Sequence, residues 1–426
     1  MTKKRILFTS PVLEYPPADG PALRICNSIK ALNSIADVFV VSRNYKFLMG
    51  GERAEFFYKK YCQSLNYAPS TQEFSLNYIL SLASYFKKLK WHWLYAKILA
   101  VVYKLSPSII RDIDYLVNYV NVNSIDIIWF GFGNISFKLM KGIRAKLPHV
   151  KLVCDTDAVW SRFLLRELDV TTDLQARKKI EQEGYVKQLE ETEWQEFVNI
   201  TTAVSEVDAC YYREISKASD NIKIFSNVVD FEAYLQKPKQ AKGLIAPNIY
   251  LAGSFWPGSP MEHASRWFIE KVFPILLGIN PRLHFYIVGK NSDSILADVR
   301  HPNITVTGKV DSVLPYLCYA SVAIVPLFFE SGTRFKILEA GAVGIPIVST
   351  TLGAEGLPVQ HGEQLLIADT PEDFATAINQ VISSPNLSKK LADNCKKLIL
   401  EKFSVQSLAS EAQQIINYLD RKNGEG

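Results

Sequence analysis

The sequence predicts an α/β protein made of two doubly wound parallel sheets in tandem, facing each other across a cleft. Three observations carry this expectation. Short β-branched or apolar runs alternate with helical patterns along the chain, the rhythm of parallel strands covered on both faces. The runs fall into two series, separated by a Lys/Pro/Gln-rich stretch at Lys237–Lys242. The 426 residues, 48% of them hydrophobic, exceed what one core accommodates and suit two domains of about 200 residues each.

The first series places strands at Arg5–Thr9, Ala36–Val41, Ile125–Phe130, Lys151–Cys154, Ile200–Val204 and Ile222–Phe225. The second places them at Ile249–Ala252, His284–Val288, Ile304–Thr307, Val322–Val325, Ile347–Ser349 and Gln364–Ile367. A linker is expected near 233–246, which divides the chain into a domain over 1–235, with a helical insertion at about 45–120, and a second over 236–404.

Composition excludes several classes. The balance of 48 Lys+Arg against 43 Asp+Glu leaves a net charge of +5, too little concentrated charge for a dedicated nucleic-acid binder, so no nucleic-acid partner is expected. Charged residues at 21% beside the apolar content rule out compositional disorder. The cysteines at 26, 62, 154, 210, 318 and 395 show no C-x-x-C spacing and no pairing with histidine, so zinc and redox motifs lack support. At the start, Met1-Thr-Lys-Lys-Arg and Ile6-Leu-Phe resemble a leader's charged and apolar regions. Ser10, Pro11 and Glu14 cut the apolar run short, so it reads as a first strand. With no apolar stretch of about 18 residues, a cytoplasmic protein is expected.

Open parallel sheets bind ligands beyond the carboxyl ends of their strands, where loops meet helix N-termini. The first such loop is Ser10–Gly20, after which Leu23, Cys26, Ile29 and Leu32 recur at helical spacing. Arg24 then falls in a first helical turn, where it opposes the dipole but is placed to meet an anion; the alternative is a surface pair with Glu14 or Asp19. The densest stretch is Val322–Thr350. Its loop delivers Ser331, Gly332 and Thr333 to the start of a helix near Arg334–Val343, where free N–H groups favour a phosphate and Gly332 permits close backbone approach. Arg334 and Lys336 suit a diphosphate held by charge-assisted hydrogen bonds, and Glu339 suits the hydroxyls of a ribose. Asp155-Thr-Asp157 is a literal D-x-D, a pattern that elsewhere holds a divalent metal; with Arg334 and Lys336 supplying charge, no metal is expected, and Asp157 is placed to bind an acceptor hydroxyl or to orient groups around the reaction centre, the alternative being a purely structural loop aspartate.

Phe74–Arg111 contains no acidic residue and sets Lys87, Lys88, Lys90, Lys97, Lys104 and Arg111 among Trp91, Trp93 and tyrosines. Such a segment fits an anionic bilayer surface, and fits equally a helical insertion whose lysines reach out to water.

Ser331-Gly-Thr-Arg-Phe-Lys-Ile-Leu-Glu-Ala-Gly-Ala-Val-Gly-Ile-Pro-Ile-Val-Ser-Thr350 resembles the C-terminal signature of the group 1 glycosyltransferases, retaining enzymes of the GT-B fold that use nucleotide-activated sugars. Phe8–Arg24, Ile200–Asp208, Ile224–Asp230, Leu251–Trp256, Ala264–Pro274 and Gly353–Gly356 resemble further family segments. The resemblance implies donor contacts at Gly20, Gly253, the Gly308-Lys309-Val310 loop, Glu330, Ser331, Gly332, Thr333 and Glu339, catalytic roles for Arg334, Lys336, Asp157 and Arg24, and a last helix at 405–426 that crosses back onto the first domain. Two departures stand out. The family's first signature glutamate is here Ser331, with Glu330 one residue early, so the donor-sugar contact passes to Glu330 or loop amides. The usual arginine and lysine early in the second domain fall near Ser254 and Ser259, and Arg334 and Lys336 replace them.

The implied activity is transfer of a sugar from UDP-, GDP- or another nucleoside diphosphate sugar to a saccharide or lipid-linked acceptor hydroxyl with retention, in cell-surface polysaccharide or glycolipid synthesis. No cofactor beyond that co-substrate is implied, and the enzyme would work in the cytoplasm or on the inner face of the membrane. The rival readings are a sugar-nucleotide epimerase on the same fold, a phosphorylase-like transferase and a non-catalytic membrane scaffold.

Overall fold

The computed structural model describes residues 3–17, 19–46, 48–71, 109–216 and 219–424. Most of Phe74–Arg111 therefore lies outside the described residues. The first sheet contains β1 (Arg5–Ser10), β2 (Asp37–Ser42), β3 (Ser64–Tyr67), β4 (Ile127–Gly131), β5 (Lys151–Asp155), β6 (Ile200–Ala203) and β7 (Ile222–Ile224). Its strands are parallel in the order β3-β2-β1-β4-β5-β6-β7. The second contains β8 (Asn248–Ala252), β9 (His284–Val288), β10 (Ile304–Val306), β11 (Val322–Val325), β12 (Ile347–Ser349) and β13 (Leu366–Ile367), parallel in the order β10-β9-β8-β11-β12-β13.

The strands are apolar on both faces because both faces are covered. Ile6 and Phe8 of β1 enter one buried cluster while Leu7, between them, enters another, so the strand is buried on both faces from Ile6 to Ser10. The strand order reverses between β1 and β4 in the first sheet and between β8 and β11 in the second. Crevices for ligands open at those reversals.

The helix Gly20–Ile35 begins with Pro21 in its first turn and buries Ile25, Ile29 and Leu32, the i, i+4, i+7 stripe expected of a helix lying on a sheet. The expected helical insertion at about 45–120 is corrected for its described parts. Residues 48–71 form the short helix Glu52–Tyr58 and then β3, and Ile109–Asn123 is a covering helix of the same sheet. β3 escaped the reading because Ser64-Leu-Asn-Tyr67 is an edge strand with no fully buried residue.

The last helix, Val405–Gly424, lies on the first domain. Glu411 accepts from the Ser226 amide at 2.7 Å and its hydroxyl at 2.8 Å, and Asp420 pairs with Lys4 at 2.9 Å. The chain thus passes between the domains twice, after Asp230 and before Ser404, and the two passages touch where the Val229 amide donates to the Phe403 carbonyl at 3.0 Å.

Candidate active site

The loops beyond both sheets meet face to face. A Cβ added at Gly332, whose φ is +78°, would lie 2.8 Å from the Asp157 carbonyl oxygen, and one added at Gly20 would lie 3.0 Å from the Phe335 ring. Glycine is required at position 332 on both counts, backbone conformation and clearance. Asn227 joins the two lobes as well, accepting from Arg24 at 2.8 Å and donating to the Thr333 carbonyl at 3.4 Å.

Arg24 is engaged by acceptors of the protein itself, with its Nε left unpartnered among the described residues. Its buried guanidinium donates to Asp155 at 2.5 Å, to Asn227 at 2.8 Å and to the Phe225 carbonyl at 2.9 Å. Its partner is a strand carboxylate, neither Glu14 nor Asp19. Asp19 instead caps the helix, accepting from the Ala22 amide at 3.1 Å, so a carboxylate already stands at that helix start. Asp155 also accepts from the Trp129 indole and the Thr202 hydroxyl, each at 3.1 Å. The two aspartates of the D-x-D therefore face different surroundings, since Asp157 accepts from the Trp160 indole at 3.1 Å. Burial pushes the Asp157 carboxyl up to about 6, against the opposing effects of the Trp160 hydrogen bond and the Arg24 charge. Among the described residues no group of three His, Cys, Asp or Glu side chains is arranged to hold a metal ion.

The helix following β11 spans Phe335–Val343, so Arg334 stands at its N-cap rather than in its first turn. Arg334 is 3% exposed and among the described residues donates only to carbonyls, those of Gly332 and, at 3.2 Å, Leu352, while its Nε has no partner there. Thr333 Oγ1, also buried, is without a partner as well. Lys336 forms neither a hydrogen bond nor an ion pair among the described residues. Burial lowers both cations' pKa values against the raising effect of the nearby Glu330 charge. The Glu339 carboxylate accepts from the Tyr234 hydroxyl at 3.0 Å, and its pKa is raised by burial. Two desolvated cations, orphaned donors and a helix N-terminus thus converge on one place, an arrangement that costs free energy by itself and suits an anion with several oxygens.

Other expected contacts are already committed within the protein. The Ser331 hydroxyl accepts from the Val159 amide at 3.2 Å and donates to Asp208 at 3.4 Å, so it ties the domains together. Glu330, whose carbonyl accepts from Arg166 at 2.8 Å, keeps its carboxylate unpaired among the described residues. The Gly253 amide donates to Val288 at 3.0 Å. Gly308, at φ +68°, donates to Ser292 at 3.0 Å and accepts from Gly289 at 3.1 Å, which leaves Lys309 and Val310 of that loop.

Sequence reasoning missed an ionic cluster across the cleft. Arg162 and Arg166, on the first-domain helix Trp160–Arg166, reach Glu355 of the second domain. Arg166 holds both Glu355 oxygens at 2.7 Å, and Arg162 adds a contact at 3.1 Å and one to Asp208 at 3.5 Å. Burial opposes ionisation of Glu355, but the Arg166 hydrogen bonds and the Arg162, Arg166 and Arg334 charges outweigh it and hold the carboxyl below its ordinary range. The i, i+4 placement of the two arginines on one helix face was the available signal.

Comparison with known proteins agrees with this architecture. Residues 246–384 match the family model described as "Glycosyl transferases group 1". An uncharacterized 44.6 kDa protein in the cps region of Klebsiella pneumoniae is 27% identical over 154 residues, 34% of this chain and 39% of that protein. The MMP alpha-(1->4)-mannosyltransferase of Mycolicibacterium hassiacum is 31% identical over 120 residues, 27% of this chain and 28% of the relative. The chain thus matches well under half of the length of these relatives. Across the whole fold, the Anabaena HepE complex with UDP and glucose superposes with a TM-score of 0.62 at 12% identity, covering 98% of this chain and 100% of that one. The architecture is the GT-B fold.

Proposed function

We propose, from a second domain that matches the group 1 glycosyltransferase model over residues 246–384, that this protein transfers a sugar from a nucleoside diphosphate sugar to an acceptor hydroxyl, with retention at the anomeric carbon. The observation that carries the reading is the unpaired pair Arg334 and Lys336 at the start of the helix Phe335–Val343, beside the partnerless Arg334 Nε and Thr333 Oγ1. Support comes also from HepE, whose structures are described with UDP and with UDP-glucose.

In this reading the diphosphate lies against Arg334, Lys336 and the amides of 332–336, and these groups stabilise the charge that develops as the glycosidic bond of the donor breaks. Glu339, fixed by Tyr234, takes the ribose hydroxyls. Glu330, projecting from the same loop, is the carboxylate available to the donor sugar. On the opposite wall, Asp157 accepts a hydrogen bond from the incoming hydroxyl. The departing diphosphate takes that proton on the same face of the sugar, which gives retention.

The reading extends to cell-surface polysaccharide or glycolipid synthesis in the cytoplasm, with membrane attachment through Phe74–Arg111. No described helix is long and apolar enough to cross a membrane. A thermal-shift screen with UDP, GDP, ADP and CDP sugars tests the core of the proposal, since a bound donor stabilises the native state. One sugar nucleotide should raise Tm, and the raise should vanish in Arg334→Met. Absence of any shift, or a shift unaffected by that substitution, overturns it. Proton NMR of the product's anomeric signal decides retention, and vesicle flotation at low and high salt decides attachment.

A further inference from the structure

Buried guanidinium groups attract carboxylates within reach, and the charges of Glu330, Asp208 and Glu355 all act on Arg334. Glu355 lies close to Arg334 in the fold, since Arg334 donates to the Leu352 carbonyl at 3.2 Å and a Cβ added at Gly356 would lie 3.2 Å from the Thr333 side chain, yet among the described residues the two do not pair. Its two oxygens are held instead by Arg166, at 2.7 Å each, with Arg162 at 3.1 Å from one of them. A fork-to-fork pair of this kind fixes the carboxylate in plane as well as in distance. Arg166 also donates to the Glu330 carbonyl at 2.8 Å, so a single first-domain side chain fastens both second-domain loops that flank Arg334.

We propose that Arg166, assisted by Arg162, is a positioning residue that keeps Glu355 off Arg334 and so leaves the second domain's buried guanidinium free for the donor diphosphate. The inference rests on the diphosphate reading above and deepens it. The first domain then contributes to donor binding without touching the donor: when the domains meet, Arg166 captures Glu355. Without Arg166, Glu355 keeps only Arg162 and turns towards Arg334, whose guanidinium has no carboxylate partner among the described residues, and competes with the diphosphate for it. Arg162 alone, shared between Glu355 and Asp208, holds it less firmly.

The test measures affinity of the full-length chain by calorimetry for whichever of UDP, GDP, ADP and CDP stabilises it most. Arg166→Ala is expected to weaken binding about tenfold. Adding Glu355→Gln, which removes the competing charge while keeping the side chain's shape, is expected to bring affinity back to within about threefold of the parent. In turnover the donor KM rises in Arg166→Ala while the acceptor KM stays put, a split that general loosening of the fold would not produce. If Arg166→Ala is recovered unfolded, Arg166→Lys replaces it, with about a threefold loss reversed by the same second substitution. Unchanged binding in the Arg166 variant, or a double variant as weak as the single one, overturns the inference and leaves the diphosphate reading standing. A parent chain that binds none of the four nucleotides overturns both.

Discussion

Two helix starts, one in each domain, carry an arginine near the positive end of the dipole and differ in what the fold brings to them. At Gly20–Ile35 the end is capped by Asp19, and Arg24 is claimed by Asp155 on the neighbouring strand. At Phe335–Val343 no side chain caps the end, Arg334 finds only carbonyls among the described residues, and one nearby carboxylate, Glu355, is held by two arginines from the other domain. A third start, Trp160–Arg166, is filled by Glu191, which accepts from the Trp160 and Ser161 amides at 2.8 and 3.2 Å. Residue type at a helix start therefore does not make an anion site. What sets the start at Phe335–Val343 apart is that no side chain caps it and that, among the described residues, no carboxylate pairs with its arginine: Glu355 is held by Arg166 and Arg162, and Glu330 stays unpaired.

The largest expected effect breaks the comparison at the two arginines. Arg24→Met leaves Asp155 charged and unpaired in the core and is expected to cost about 3–5 kcal/mol of stability, read from the urea midpoint. Arg334→Met should leave that midpoint nearly in place and lower turnover about 10²–10³-fold. Equal stability loss in both would show that the two sites do not differ in kind.

The next effect concerns the filled start. Burial raises the Glu191 carboxyl to about 7, although the Ser161 and Trp160 hydrogen bonds favour its charged form. The folded state therefore holds the proton more tightly than the unfolded chain. This contribution to stability is fully present below about pH 4.5 and is lost as pH rises through 7, a loss on the order of 3 kcal/mol. Glu191→Gln is expected to flatten Tm across that window and to raise it at pH 8; a parallel curve for the variant would refute the assignment. The smallest effect is at the capped start, where Asp19→Ala is expected to lower stability by about 1 kcal/mol without exposing an anion site, as unchanged donor affinity would show.

Most of the fold was readable because its strands are buried on both faces, so runs such as Ile127-Ile-Trp-Phe130 announce themselves without knowledge of their neighbours. The helix Leu174–Trp194 went unidentified for the opposite reason. Its buried positions are Ile180, Gly184, Glu191 and Trp194, while Leu174, Tyr185, Val186 and Leu189 are exposed, so no apolar stripe marks it. At the candidate site, the residues of the helix start lie together in the chain and could be named from the sequence. Partners could not. Arg24 meets Asp155 across 131 residues and Arg166 meets Glu355 across 189, and each of these side chains, taken alone, looks like surface charge.

The double passage of the chain between the domains has a mechanical consequence. Because the segments around Val229 and Phe403 run side by side, the lobes are joined by a two-strand hinge in place of a single tether. Such a joint resists twisting and permits chiefly rotation about one axis, so the lobes can part and return in the same alignment. Alignment that is kept through each cycle is what lets a salt bridge such as Arg166–Glu355 re-form without a search.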